Sequence, residues 1–312
     1  MSTPLILDCD PGHDDALAIM LAAAHPAVDL KAITTVAGNQ TLDKTTLNAR
    51  RVCTLAGITD VPVAAGCDRP LSGVLEIAAD VHGESGLDGP VFGPPTVPLA
   101  EEHAVDLMHR VLVEGSEPTT IVAVGPLTNV ATLLRRHPED VSRIRELVVM
   151  GGSTSRGNHT PYAEFNIYVD PEAAAEVLAS GLPITFHGLN VTHQALVTPD
   201  VVARFRGMGT QLGEVCAELM TFFASTYRRL WDFPAPPLHD PVAVAYVIDR
   251  SVVDCVRAPV RIEVEGAHTR GATVVDLHGR MGWAPNADVG LTLHRDRFWE
   301  LMTGAVEHLG RA

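Results

Sequence analysis

Lysine is nearly missing from this chain: Lys31 and Lys44 are the only two in 312 residues, and 23 basic against 38 acidic residues leave a net charge of −15. Nucleic acids and anionic membranes both reward clustered Lys and Arg, so neither partner is expected; a small uncharged or cationic ligand suits this balance better. Disulfide chemistry is as poorly provided for. The five cysteines, Cys9, Cys53, Cys67, Cys216 and Cys255, are odd in number, form no CxxC pair and lie scattered in apolar segments, as reduced core residues of a cytosolic protein do. No apolar run approaches the ~18 residues of a membrane helix. The short run at residues 5–7 has no basic lead of the kind a signal peptide carries, so a soluble, cytoplasmic protein is expected. Repeats, low-complexity tracts and long linkers are missing too, and the 46% hydrophobic content is expected to fill one domain, residues 1–312.

What is present starts at Leu5. A short apolar run leads into Asp8-Cys9-Asp10-Pro11-Gly12-His13-Asp14-Asp15, followed by an alanine- and leucine-rich stretch that ends at His25-Pro26. This reads as strand, tight turn and helix. Asp8 and Asp10 then share one side of the strand by its period of two, and Asp14 and Asp15 open the helix. Asp14 and Asp15 alone would only complement the helix dipole, at a few tenths to about 1 kcal/mol each. Four carboxylates gathered at one strand end repel one another and point instead to a hard divalent cation held by oxygen ligands. An EF-hand is excluded, because its sixth and twelfth positions from Asp8 would be His13 and Ile19 rather than Gly and Glu. A phosphatase with an aspartyl nucleophile also carries DxD after its first strand and stays open on this stretch.

Further strands are expected at 28–36, 61–64, 119–124, 146–150 and 182–186, alternating with helices at 41–56 and 100–114, one that follows the turn at 125–129 and runs to about Arg136, and one from Pro171. A long helix is expected over 199–230, another after Asp240, a β-pair from 260–264 and 273–277, and a closing helix at 295–308. Two long polar loops, 67–98 and 158–171, are the kind that serve function more often than not. The alternation implies an α/β fold with a mostly parallel sheet and helices on both faces. Ligands bind beyond the carboxyl ends of such strands. That rule gathers Asp8, Asp10, Asn39, Val124, Gly125, Gly151, Gly152, His187 and Asn190 in one place.

The stretch DCDPGHDDALA resembles the inosine–uridine-preferring nucleoside hydrolases, together with Ala37-Gly38-Asn39, His82-Gly83, Gly125-Pro126-Leu127-Thr128-Asn129, Ala163-Glu164-Phe165-Asn166 and Leu238-His239-Asp240-Pro241. That stretch and the five further motifs, in the right order, cover nearly the whole chain. The resemblance implies a Rossmann-like nucleoside hydrolase fold and a calcium ion held by Asp10, Asp15, the carbonyl of Val124 and Asp240. It implies that Asp10 acts as general base on a calcium-bound water that attacks C1′, breaking the N-glycosidic bond of a ribonucleoside. Asp14, Asn39, Asn158, Glu164, Phe165 and Asn166 fall to substrate binding. His239 is implied to assist departure of the base, with His82 near it, and Phe223 and Tyr227 to cover the base from a helix. Each of these has a plainer alternative: His239 merely orienting Asp240, His82 a loop residue, Phe223 and Tyr227 core packing at helical spacing. Asn190 departs from the family's usual Asp in a DVTH run, and Ser85 and Asp88 differ from its usual choices; these bear on base preference.

Chemistry explains the residue types. An oxocarbenium-like transition state needs a deprotonated nucleophile on one face and help for the leaving base on the other, and histidine, with a pKa near neutrality, suits the second task. The phosphatase reading fares worse once Pro11 and the scarcity of lysine are counted. A non-catalytic nucleoside- or ribose-binding protein remains as an alternative from another class, although it would not need a base such as Asp10. The family commonly forms homodimers or homotetramers, so a homo-oligomer is expected. The presence of both His82 and His239, with no tryptophan in the loops to stack a purine, favours a pyrimidine or mixed preference.

Overall fold

In the computed structural model, which describes residues 2–311, ten strands and twelve helices follow one another along the chain. The strands are β1 Thr3–Cys9, β2 Val28–Thr35, β3 Val63–Ala65, β4 Thr119–Ala123, β5 Ile144–Met150, β6 Ile184–His187, β7 Val253–Ala258, β8 Val260–Ile262, β9 Thr273–Val275 and β10 Ala287–Leu293. The helices are α1 His13–Ala24, α2 Leu42–Leu55, α3 Ala79–His82, α4 Ala104–Glu114, α5 Thr128–Arg136, α6 Phe165–Val169, α7 Pro171–Ala179, α8 Leu189–Thr192, α9 Pro199–Gly207, α10 Gln211–Trp231, α11 Asp240–Ile248 and α12 Arg295–Gly310. Eight strands form one sheet in the order β3-β2-β1-β4-β5-β6-β10-β7, parallel throughout except that β7 runs antiparallel to β10. The chain is therefore the single α/β domain that its alternating pattern implies.

β1 is a buried apolar strand because it lies between β2 and β4 and is covered on both faces. Its odd residues Leu5, Leu7 and Cys9 join a core under α1, α2, α10, α11 and α12, whereas Ile6 joins a second core with α4, α5 and α7. α1 is buried on all sides from His13 to Ala22, as a helix enclosed between sheet and outer helices must be. The strand order reverses direction between β1 and β4. Such a switch point opens a crevice at the carboxyl edge of the sheet, and Asp10 and Val124 stand at its two lips.

Several elements differ from the sequence reading. The helix expected over 199–230 is two helices, α9 and α10, broken at Gly209, whose φ of +67° suits only glycine at low cost; Thr210 then caps α10 by accepting from the Gly213 amide at 3.1 Å. β7 and β10 were not foreseen. β7 is an edge strand with charged Asp254 and Arg257, and β10 carries Gly290 at a register shift, so neither shows a clean alternation. Both long loops hold a short helix, α3 and α6. The pair β8–β9 forms as expected. Among the described residues, no helix is long and apolar enough to cross a membrane.

Candidate active site

The carboxylates at the crevice are built by local backbone geometry. Asp15 is the third residue of α1, and its carboxylate accepts from the amides of Gly12 at 2.8 Å and Asp10 at 3.0 Å, closing the turn that ends β1. Asp10 accepts from the Asn39 amide at 2.7 Å through Oδ2, while its Oδ1 is buried without a partner. Two glycines make room for it: a Cβ at Gly38 would collide with Oδ2, and one at Gly125 would stand 2.7 Å from Oδ1. Asp14 faces the amides of His239 and Asp240, and Asp240 arrives from the start of α11. Ligand oxygens of Asp14, Asp15 and Asp240 lie within 4.8 Å of one another.

Asp8 is not one of this group. β1 ends at Cys9, so Asp10 lies beyond the strand, and the Asp8 carboxylate accepts instead from Thr34 at 2.7 Å and Asn129 at 2.8 Å. The fourth carboxylate of the cluster is Asp240, from the far end of the chain.

Burial is the largest influence on every one of these acids, and neighbouring charge adds to it. It pushes Asp10 and Asp240 well above the ordinary carboxylate range, Asp10 further raised by Asp15 and Asp240 by Asp14 and Asp15. Asp14 rises to about 8 through burial and then Asp15, Asp15 is raised by burial, and Glu164 is raised by burial to about 7. A bound cation inverts this balance. Oxygen-only donors, an unpartnered buried Asp10 Oδ1 and clustered carboxylates all fit a hard divalent metal ion. The Val124 carbonyl accepts from Asn166 Nδ2 at 2.7 Å and retains its second lone pair.

Above the carboxylates lies a cavity of ≈ 300 Å³, within the range of small-molecule sites. Of the residues expected from sequence, Asp14, Asn39, His82, Val124, Asn158, Glu164, Phe165, Asn166, Phe223, Tyr227, His239 and Asp240 line it; Asp10 and Asp15 sit in the carboxylate group at its floor. Glu164 has a structural task as well, since it caps α6 by accepting from the amides of Asn166 and Ile167 and from Gly152 of the facing loop. Asn158 Oδ1 accepts from the Phe165 amide at 3.0 Å. Opposite them, α10 presents Phe223 and Tyr227. The Tyr227 hydroxyl lies 2.7 Å from His239 Nε2, and the Thr192 hydroxyl 2.7 Å from His239 Nδ1. Burial lowers His239 and His82 well below the usual histidine range, which favours their neutral form.

The sequence profile of the inosine-uridine preferring nucleoside hydrolases matches residues 5–300. The chain belongs to this family. A pyrimidine-specific ribonucleoside hydrolase, RihA, of Photobacterium profundum is 48% identical over 303 residues, 97% of this chain and 98% of that one. The RihA of Escherichia coli (strain K12) is likewise 48% identical, covering 97% of each. Among solved structures, the purine-preferring ribonucleoside hydrolase from Gardnerella vaginalis superposes with a TM-score of 0.92 at 30% identity over 99% of both chains. The chain is thus a ribonucleoside hydrolase.

Some of the hydrolase's lining residues escaped the sequence reading: Asp80, Val81, Met150, His159, Leu230 and Trp231. Trp231 corrects one argument, because a tryptophan does reach the cavity, from the last turn of α10 rather than from a loop. The signal was present, since Phe223, Tyr227 and Trp231 recur every four residues along one helical face. Thr192 and His13 were also given no role. His13 stacks between His82 and the rings of Phe222 and Phe223 and sets its Nε2 2.8 Å from the Asp88 carbonyl.

Proposed function

We propose that this hydrolase cleaves the N-glycosidic bond of pyrimidine ribonucleosides with calcium as its metal. The observation that carries the reading is Asp10: a buried carboxylate with one oxygen anchored by Asn39 and the other unpartnered beside an all-oxygen ligand set. Asp10, Asp15, Asp240 and the Val124 carbonyl would hold the ion. When bound, calcium lowers the pKa of water and fixes the ribose diol. Asp10 accepts the proton of the attacking water, which adds to C1′ as the base departs. Asp14, Asn39, Asn158, Glu164 and Asn166 hold the ribose hydroxyls, and orientation of this kind supplies several kcal/mol of the barrier. Phe165, Phe223 and Tyr227 exclude bulk water. The Tyr227–His239 pair donates a hydrogen bond to the base as negative charge builds on it, with His82 beside them.

The pyrimidine preference rests on the 48%-identical relatives, whose names specify pyrimidines, and on the two histidines at the base end. Reduced, largely buried cysteines fit the cytoplasm, and a homodimer or homotetramer fits the family. The deciding experiment is ribose release from uridine, cytidine, inosine, adenosine and guanosine, with and without a calcium chelator, on wild type and Asp10→Ala. Chelator-sensitive release that favours uridine and cytidine and vanishes in the variant is expected. Equal rates on inosine would overturn the preference, and turnover retained by Asp10→Ala would overturn the mechanism.

A further inference from the structure

A second cluster of metal-ligating side chains lies far from the catalytic cavity. His109 projects from the middle of α4, His137 follows α5 directly, and Glu139 and Asp140 sit on the 3₁₀ turn Pro138–Arg143 that leads into β5. That turn is at the amino end of the sheet, opposite the crevice, and none of the four residues lines the cavity. A nitrogen of His109, a nitrogen of His137 and a carboxylate oxygen of Glu139 lie within 4.8 Å of one another.

Behind them Asp140 is fully buried. One of its oxygens lies 2.8 Å from His109 Nδ1, and its Oδ1 has no partner. A buried carboxylate with an oxygen left unpartnered is costly unless a further donor or a positive charge stands close by. A metal ion on the far nitrogen of His109 supplies it through the ring, the carboxylate–histidine–metal arrangement that fixes tautomer and ring orientation. His137 also has a buried, unpartnered Nε2, and its Nδ1 lies 3.6 Å from Glu139. We infer that His109, His137 and Glu139 bind a borderline divalent cation such as zinc, with Asp140 orienting His109.

The donor set decides the class. Two imidazoles and a carboxylate select zinc-like ions, whereas the oxygen-only cluster beneath the catalytic cavity selects hard ones. The two rings now stack at 3.7 Å with 13° between their planes, which keeps their lone pairs in near-parallel planes. Binding by both therefore requires one imidazole to turn about χ2, and side-chain exposures of 31% and 21% leave room for that on the solvent side.

Zinc chloride titrated calorimetrically into the enzyme with saturating calcium present tests the site. One zinc per chain is expected, with affinity reduced at least ~10-fold in His109→Gln and His137→Gln and ~10–100-fold in Asp140→Asn. Calcium-dependent ribose release by the histidine variants should match wild type, showing that they fold. A zinc-induced rise in melting temperature should disappear in His137→Gln. Absence of binding, or unchanged affinity in His137→Gln, overturns the inference and leaves the catalytic reading untouched.

Discussion

In the proposed mechanism the chemistry of this site rests on one side chain, Asp10, a carboxylate that would act as a base. It is anchored through one oxygen, confined by Gly38 and Gly125, and surrounded by like charges. Asp10→Asn preserves that shape but removes the proton acceptor, so kcat should fall ~10²–10⁴-fold with the far-ultraviolet spectrum unchanged; full turnover in a stopped assay would remove Asp10 from its role. Tyr227→Phe leaves His239 Nε2 buried and unpaired, at a stability cost of ~1–3 kcal/mol. It should slow natural nucleosides more than a riboside with a good leaving group such as nitrophenolate, and equal losses would mean that Tyr227 only packs. His187 gives a cleaner test of burial. Both its ring nitrogens lack partners, and burial lowers its pKa to about 3. Its contribution is complete above the unfolded value near 6.5 and is lost as pH falls toward 3, because the unfolded chain then binds the extra proton. His187→Leu should therefore flatten the loss of stability on acidification by up to about 1.4 kcal/mol per pH unit in that window, measured by urea unfolding at several pH values.

At the scale of elements, the corner where β2 passes into α2 holds the site as firmly as the motif does. Gly38 lies in that corner, and a Cβ there would collide with Asp10 Oδ2 and stand 2.8 Å from Pro126. Gly38→Ala should thus weaken calcium binding and lower kcat without touching substrate directly; normal calcium affinity by titration would show that the corner yields. The β1–α1 unit was legible in the sequence because an apolar run, Pro11-Gly12 and a helix-opening Asp15 all agree, and the rule about strand ends brought Asn39 and Val124 to it. Less was legible where tertiary context overrides local pattern. Asp8 reads like Asp10 by period, yet β1 stops at Cys9 and Asn129 claims the Asp8 side chain. β10 is held between β6 and β7 although Gly290 interrupts it, the glycine being required because a Cβ would stand 2.6 Å from His187 Nδ1. The break between α9 and α10 turns on the single residue Gly209, and it decides which helical face brings Phe223, Tyr227 and Trp231 to the cavity.

Across the whole molecule, folding draws acids from both ends of a chain with net charge −15 into one buried cluster. In the proposed reading the same groups bind metal and set stability. Burial raises Asp14 to about 8 and Glu164 to about 7, so without a cation the folded state holds protons that the unfolded state has released. The contribution of these acids to stability then falls as pH rises from near 4 toward 8, because they hold more protons in the native state over that range. A divalent ion competes with those protons for the same oxygens and stabilises the fold in proportion to the logarithm of its excess over Kd. The difference in melting temperature between calcium-saturated and chelated enzyme should therefore be small near pH 5 and grow steadily to pH 8. It should shrink in Asp240→Asn, which removes one ligand and one repelling charge together. Light scattering at each pH separates this effect from subunit dissociation, since the expected homo-oligomer would add a dependence on protein concentration, and a 33.3 kDa particle would exclude that assembly. A calcium-induced shift of equal size at pH 5 and pH 8 would mean that the ion binds away from the titrating carboxylates, and the ligand set of Asp10, Asp15 and Asp240 would then be wrong.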